Sequence, residues 1–255
     1  MKIATWNVNS IRKRLDRVIP WLAEHQPDVL CMQETKVEDE AFPRAEIEAA
    51  GYHVLCHGQK TYNGVALLTR EPAHDPVRGF GDSVQDPQAR FLMASVGHVK
   101  VGTVYVPNGQ EVGSEKFRYK LDWLGRWRQW LDAHADRGAE VAFCGDLNVA
   151  PEDRDVYDPV GWKDQILCSP DERAALAEVC RWGLADAFRQ LHSEAGAYTW
   201  WDYRQLGFPK NRGLRIDMIL CSPALASRLV QVAIDRDARK GKDPSDHAPV
   251  IAEFK

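Results

Sequence analysis

Polar residues of a few chemically useful types stand where strand-like runs of this sequence end. Asn7 ends "KIATWNV" and Glu34 ends "PDVLCMQE"; Tyr105 and Asn108 lie at the close of "VKVGTVYVPN", and Asp146 and Asn148 at the close of "VAFCGDLN". Asp217 interrupts the apolar run "RIDMILC", and Asp246 and His247 precede "APVIAEF". Taken singly, most have plain explanations. Asn and Asp after a strand are usually turn residues, and a lone histidine is more often a hydrogen-bonded core residue than a catalyst. Asp217 resists this treatment, because a carboxylate among apolar neighbours is costly unless paired. Six runs that all end in an amide, carboxylate, phenol or imidazole are a poor result for chance. Loops at one end of a rigid sheet are where sites are built.

The chemistry such a set supports is hydrolysis of a phosphate ester. Glu34, with other oxygens, suits a hard divalent cation such as Mg²⁺, which polarises a phosphoryl oxygen and neutralises a leaving group. Asp146 suits removal of a proton from water, with Asn148 to orient that water. His247, held by a carboxylate such as Asp217, suits donation to charge developing on phosphorus, and Tyr105 suits contact with the same group.

The elements that must position these residues follow from periodicity. "LDRVIPWLAEH" reads as a helix with Leu15, Val18, Ile19 and Leu22 on one face. "YHVLCHG" and "GVALLTR" read as strands, and "RFLMASV" with "VKVGTVYVP" as a hairpin turning near Gly97. A long helix follows, with Phe117, Leu121, Leu124 and Leu131 on its buried face and Lys116, Arg118, Lys120, Arg126 and Arg128 on the others. "SPDERAALAEVCRWG" carries a capping box at Ser169 and Glu172, proline at the first helical position, and a closing Gly183. Strands are expected at "AYTWWDY", "RIDMILCS", "VQVAID" and "APVIAEF". Strands outnumber helices, many connections look like hairpins, and no repeat or linker is visible. One domain spanning residues 1–255, a two-sheet sandwich flanked by helices, is therefore expected.

The chain has 255 residues, 44% hydrophobic and 27% charged, with formal net charge −4. This composition reads as globular. The acidic balance argues mildly against a nucleic-acid partner, but a local basic face or a carboxylate-rich metal site is compatible with it. The six cysteines form no CxxC pair, and Cys31, Cys144 and Cys221 sit in apolar runs. Reduced thiols and a cytoplasmic location are expected. "MKIATWNVNS" lacks the apolar core of a signal peptide, and no run is long enough to span a membrane.

The quotes "TWNVNSIR", "QETK", "GVALLTR", "YVPNG", "CGDLNVAP", "TWWDYR", "NRGLRIDMIL" and "SDHAPV" resemble the exonuclease III family of DNA-repair nucleases, within the exonuclease–endonuclease–phosphatase superfamily. The resemblance runs from Lys2 to Phe254. "QETK" and "SDHAPV" mark the superfamily; "TWWDYR" with "NRGLRID" is more specific. It implies a four-layered α/β-sandwich, two mixed β-sheets face to face with helices outside, and Mg²⁺-dependent cleavage of DNA, with Mn²⁺ as a substitute. Carried onto this chain, Glu34 is the main metal ligand and Asn7 and Asp246 complete or adjust that site. Asp146 is the base or water holder with Asn148 beside it, Tyr105 and His247 face the phosphate, and Asp217 positions His247. A second ion at Asp146, Asn148 and His247 is the alternative. Asn9 departs from the pattern, since some members carry a ligating Asp there.

The implied partner is double-stranded DNA with 3′ ends, nicks or abasic sites, bound by a monomer. Trp200, Trp201 and Tyr203 with Arg204, Lys210 and Arg212 suit stacking plus phosphate contact. Adjacent strand residues face opposite ways, so one of the two tryptophans belongs to the core. Lys36, Tyr62, Asn63 and Asn108 resemble further backbone contacts. Leu167 stands two positions before the cap Ser169, where members that incise abasic sites often have a small residue. Bordering the lesion pocket, it would narrow it, so 3′-phosphatase and 3′→5′ exonuclease activities are expected to outweigh abasic-site incision. Alternatively Leu167 only packs under the helix. Two rivals differ in class: a phosphatase or phosphodiesterase acting on a non-DNA ester, which would lack the Trp-rich segment, and a non-catalytic DNA-end binder, which would be expected to have lost some of Glu34, Asp146, Asp217 and His247.

Overall fold

In the computed structural model, which describes residues 1–255, two six-stranded sheets lie face to face. The first has the order β11(Leu229–Ile234), β12(Val250–Phe254), β1(Lys2–Asn7), β2(Val29–Gln33), β4(Val65–Thr69), β3(His53–His57). The second has the order β5(His74–Arg78), β6(Phe91–Val96), β7(Val99–Tyr105), β8(Val141–Asp146), β10(Asp217–Cys221), β9(Ala185–Asp186). Each sheet is mixed: β1 and β2 are parallel, as are β7 and β8, and the remaining pairs are antiparallel.

Alternation along the strands builds three cores. Ile3, Val29, Cys31, Val101, Ala142, Cys144, Ile219 and Val250 pack between the sheets. Their neighbours Ala4, Trp6, Leu30 and Met32 face outward onto α1(Ile11–His25) and α2(Arg44–Ala49), meeting Val18, Trp21, Leu22 and Ile47. On the other side Val104, Phe143, Met218 and Leu220 meet Trp123, Trp127 and Leu131 of α3(Glu115–His134) and Leu176 and Val179 of α4(Pro170–Cys180). The result is helix, sheet, sheet, helix, the expected four-layered sandwich.

The same alternation places the site. Positions 3, 5 and 7 of β1 share a face, as do 101, 103 and 105 of β7, 142, 144 and 146 of β8, and 217, 219 and 221 of β10. Asn7, Tyr105, Asp146 and Asp217 are therefore the last members of rows that otherwise fill the inter-sheet core. β12 and β10 run antiparallel to β1 and β8, so His247, just before β12, and Asp217, the first residue of β10, lie at the edge where β1 and β8 end.

Some local expectations are corrected. "AYTWWDY" forms no strand; it makes only isolated bridges from Trp200 to Leu214 and His247. β5 was not legible, because all its residues are exposed and no apolar alternation marks it. In α3 the buried face is Phe117, Lys120, Trp123, Leu124, Trp127, Trp130 and Leu131, with Leu121 only half-buried. Lys120, assigned to an outer face, is fully buried. The α4 capping box forms as read. All six cysteines are free, and no helix is long and apolar enough to cross a membrane.

Candidate active site

The rim joins the two sheets through one carboxamide. Asn7, fully buried, donates from Nδ2 to Glu34 Oε1 at 2.8 Å and to Asp146 Oδ2 at 2.9 Å. Glu34 lies just beyond β2 with φ 52°, and Lys36 has φ 54°. Left-handed backbone is unfavourable for such residues and persists only where its surroundings hold it. Here the hold comes from the neighbouring turn: Thr35 N donates to Gly64 O and Lys36 N to Asn63 O, at 3.1 and 2.9 Å. Gly64 must be glycine for this contact, since its φ is +86° and a Cβ would stand 2.2 Å from Thr35 Oγ1.

Across from Glu34, Asp217, His247 and Asp146 form a line. His247 Nδ1 lies 2.8 and 3.1 Å from the Asp217 carboxylate oxygens, and Nε2 lies 3.8 Å from Asp146 Oδ2. Burial opposes charge on this imidazole, but Asp217 and then Asp146 outweigh it and push its pKa up to about 10. His247 is therefore an imidazolium at neutral pH, with Nδ1 donating to Asp217. Asp146 is likewise pushed above its usual carboxylate range, up to about 7, because burial dominates over the attraction of His247, and Asp217 and Glu34 add repulsion. The Tyr105 phenol is raised well above its ordinary value by burial and by Glu34 and Asp146, so it remains a donor.

The donor set fits a hard cation. Ligand atoms of Glu34, Asp146 and His247 lie within 4.8 Å of one another. The Asn7 amide bridges the two carboxylates, the Tyr105 phenol reaches Glu34, and the Lys36 ammonium lies 2.8 Å from Glu34 Oε2. Two carboxylates are oxygen donors a magnesium-like ion takes. Asn7, expected as a further ligand, instead turns its amide nitrogen to both of them, while its Oδ1 accepts from Asn9 N at 3.0 Å; the imidazole, committed to Asp217, is also poorly suited.

Asp246 stands apart from this cluster. Asn9 Nδ2 donates to its Oδ1 at 2.9 Å and Trp200 Nε1 to its Oδ2 at 3.0 Å. Lys36 Nζ donates to Asn9 Oδ1 at 2.6 Å. Asn9 thus links Asp246 to the Glu34 side of the site through Lys36, a role its neutral amide performs with both ends. Asn148, with φ 49°, donates from its backbone N to Asp146 Oδ1, takes Asn108 Nδ2 on its own Oδ1 at 3.0 Å, and donates to Val106 O.

Tyr62, Asn63 and Asn108, quoted far apart in sequence, line one open pocket of about 540 Å³ beside the rim, with Arg90, Lys116 and Tyr119. Tyr62 is 67% exposed. Arg90, not singled out from the sequence, sits with its guanidinium 4.6 Å from the centroid of the Tyr105 ring and donates to Tyr105 O. Nothing in "QARFLM" marks it, because the contact spans two strands. Trp200 is half-buried beside Asp246. Arg204 and Arg212 are exposed, and Arg204 pairs with Asp202. Two expected contact residues are corrected: Trp201 has no exposed surface, and its ring packs on Phe208. Leu167 is 4% exposed and packs with Ala150, Val156, Cys168, Leu214 and Ile216. Both side chains are core, since neither loop leaves them a path to the surface.

A profile described as the endonuclease/exonuclease/phosphatase family matches residues 4–247. The chain belongs to that family. Within it, the chain is 40% identical to exodeoxyribonuclease III of Haemophilus influenzae over the full length of both. Among solved structures it is similar to an AP endonuclease from Archaeoglobus fulgidus, with TM-score 0.97, 41% identity, and 100% of this chain and 99% of that one covered. It is equally similar in shape to a 3′ phosphatase, NExo, from Neisseria bound to product DNA hairpin, with TM-score 0.97, 43% identity and the same coverage.

Proposed function

We propose that this family member is a DNA-repair nuclease of the exodeoxyribonuclease III type, hydrolysing phosphodiesters and terminal phosphates at DNA 3′ ends with help from Mg²⁺. The observation that carries the reading is the Asp217–His247–Asp146 line facing Glu34 across Asn7. Glu34 and Asp146, oriented by the Asn7 amide, are the residues that would hold the ion, and it would supply charge neutralisation at the phosphate. Asp246 acts on that site from behind, through Asn9 and Lys36.

Asp146 accepts the proton of the attacking water as its oxygen bonds to phosphorus. The bond from phosphorus to the 3′ oxygen breaks, and that oxygen leaves as a 3′ hydroxyl by taking a proton from solvent, to which Asp146 later returns its own. The His247 imidazolium donates from Nε2 to a phosphoryl oxygen as charge builds, and Asp217 keeps it charged and aimed. The Tyr105 phenol adds a second donor, its ring backed by Arg90. Preorganised donors of this kind are each worth roughly 3 kcal/mol in the transition state.

The pocket lined by Tyr62, Asn63, Arg90, Asn108 and Lys116 is the proposed seat of one DNA strand, and Trp200 with Arg204 and Arg212 the seat of the other side. The polymer's phosphates are met by this local cationic and amide-rich surface despite the net charge of −4. The protein acts as a monomer in the cytoplasm, and Leu167, being core rather than pocket lining, sets no bar to abasic-site incision beside 3′-end processing. A panel of blunt, nicked, 3′-phosphate and abasic duplexes, incubated with Mg²⁺ or with EDTA, tests this. Release of phosphate and nucleotides from 3′ ends only with the metal is expected. Turnover of a non-DNA phosphoester with none of DNA would overturn the reading.

A further inference from the structure

A lysine ammonium without solvent exposure lies directly beneath the site. Lys120 falls three residues after Phe117 and four before Leu124, on the apolar face of α3. A buried ammonium is costly unless it is paired and its donors are used. All three are used: Nζ donates to Asn148 O at 2.6 Å, to Asn108 O at 3.1 Å, and to the carboxylate of Glu172. The other Glu172 oxygen accepts from Ser169 N and Oγ at 2.8 and 2.7 Å, closing the capping box of α4.

The two carbonyls held by Lys120 belong to the residues whose carboxamides meet above it. Asn108 Nδ2 donates to Asn148 Oδ1, and Asn148 N donates to Asp146 Oδ1. Asn148 holds a left-handed backbone that needs outside support. The loop after β7 also rests on the lysine stem, because a Cβ at Gly109 would stand 3.0 Å from Lys120 Cδ. An apolar side chain would fill this part of the α3 face, and a buried ion pair seldom adds stability over a well-packed apolar one. The ammonium does something packing cannot: it ties two separate loops to one point.

We propose that Lys120 is a positioning residue for the hydrolysis, an inference that rests on the nuclease reading above. Its ammonium fixes the loop after β7 to the turn after β8, so that the Asn108–Asn148 pair and the Asp146 carboxylate keep their orientation toward the substrate. Glu172 supplies the counter-charge and connects α4 to the same point.

The test compares wild type, Lys120→Met, Lys120→Met with Glu172→Gln, Asn148→Ala, and the triple combination on a 3′-phosphate duplex with Mg²⁺. Wild-type turnover checks the nuclease reading by itself. Lys120→Met alone leaves Glu172 buried and unpaired, and is expected to lose thermal stability. The double variant removes both charges at nearly constant volume and keeps an acceptor for Ser169, so it is expected to fold with a Tm close to wild type. In it kcat is expected to fall about tenfold to a hundredfold, the scale of a misplaced catalytic group. KM, and DNA affinity measured in EDTA, should change by no more than about twofold, as for an interaction absent from ground-state binding. The triple variant should be little slower than Asn148→Ala, because both changes act through one amide. Wild-type kcat in the folded double variant, a defect confined to KM, or losses that multiply in the triple variant would overturn the inference.

Discussion

Asp217→Asn separates the charge of the carboxylate from its geometry. Asparagine can still accept from His247 Nδ1, so the ring keeps its orientation while losing its principal counter-charge. The imidazole pKa stands at about 10 against an ordinary 6.5, and Asp217 is the largest of the influences raising it. That elevation corresponds to about 5 kcal/mol in favour of the imidazolium, at about 1.4 kcal/mol for each tenfold change in acidity. Asp146 and Asp246 also contribute, so removing Asp217 is expected to take about half of this, lowering the pKa by roughly two units. Activity requires the protonated ring, so it is present below the pKa and lost above it. The alkaline limb of kcat should move from near pH 10 in the wild type to about pH 8 in Asp217→Asn. At pH 9 the variant should be about tenfold slower from deprotonation alone. The same sign governs stability. The His247 contribution is fully present below about pH 6.5 and is lost as pH rises through about 10. A pH series of single-turnover rates, with NMR titration of the His247 ring, makes the measurement. An alkaline limb still near pH 10 in folded Asp217→Asn would refute the reasoning.

Glu34→Ala is expected to abolish most turnover at low Mg²⁺, with partial recovery in excess metal; calorimetry should show weakened Mn²⁺ binding, and wild-type turnover at low Mg²⁺ would remove Glu34 from the metal site. Asp155 is held below the usual carboxylate range, because the buried guanidiniums of Arg215 and Arg189 outweigh the cost of its burial. Its contribution is therefore present above about pH 4 and lost as pH falls through its lowered pKa. Asp155→Asn should cost about 1–3 kcal/mol at pH 7, because Arg189 loses its buried partner while Arg215 keeps only Asp186, and the gap to wild type in urea melts should narrow in acid; a constant gap would argue against the pairing. Leu167→Gly removes a buried leucine but relieves a φ of 74°; a net loss of about 2–4 kcal/mol is expected, and an unchanged Tm would show that the side chain is not packed. DNA affinity should fall steeply from low to high salt through counterion release, and a flat response would contradict the phosphate-binding surface.

Local spacing sets which residues end the strands, and alternation sets which face each occupies. Asn7, Tyr105, Asp146 and Asp217 continue the rows of Ile3, Val101, Cys144 and Ile219, so the period of two that builds the core also aims the site. The capping box of α4 was equally local, set by Ser169 and Glu172 three residues apart. Lys120 shows what composition conceals: its spacing put it on the apolar face of α3, but its charge suggested solvent. Only the tertiary structure supplies the Asn108 and Asn148 carbonyls and Glu172 that make its burial tolerable. The same holds for Arg90, whose partner Tyr105 lies on the next strand, and for Trp200 and Trp201, where an irregular loop replaces the expected strand. Asp246 reads in sequence as a neighbour of His247. In space it belongs to Asn9 and Trp200, because the carboxylate is satisfied by donors that two distant loops deliver. Periodicity and caps are legible because their forces act within a few residues. The assembly of Glu34, Asp146 and His247 was decided by the face-to-face packing of two sheets, which brings groups distant in the chain within 4.8 Å of one another.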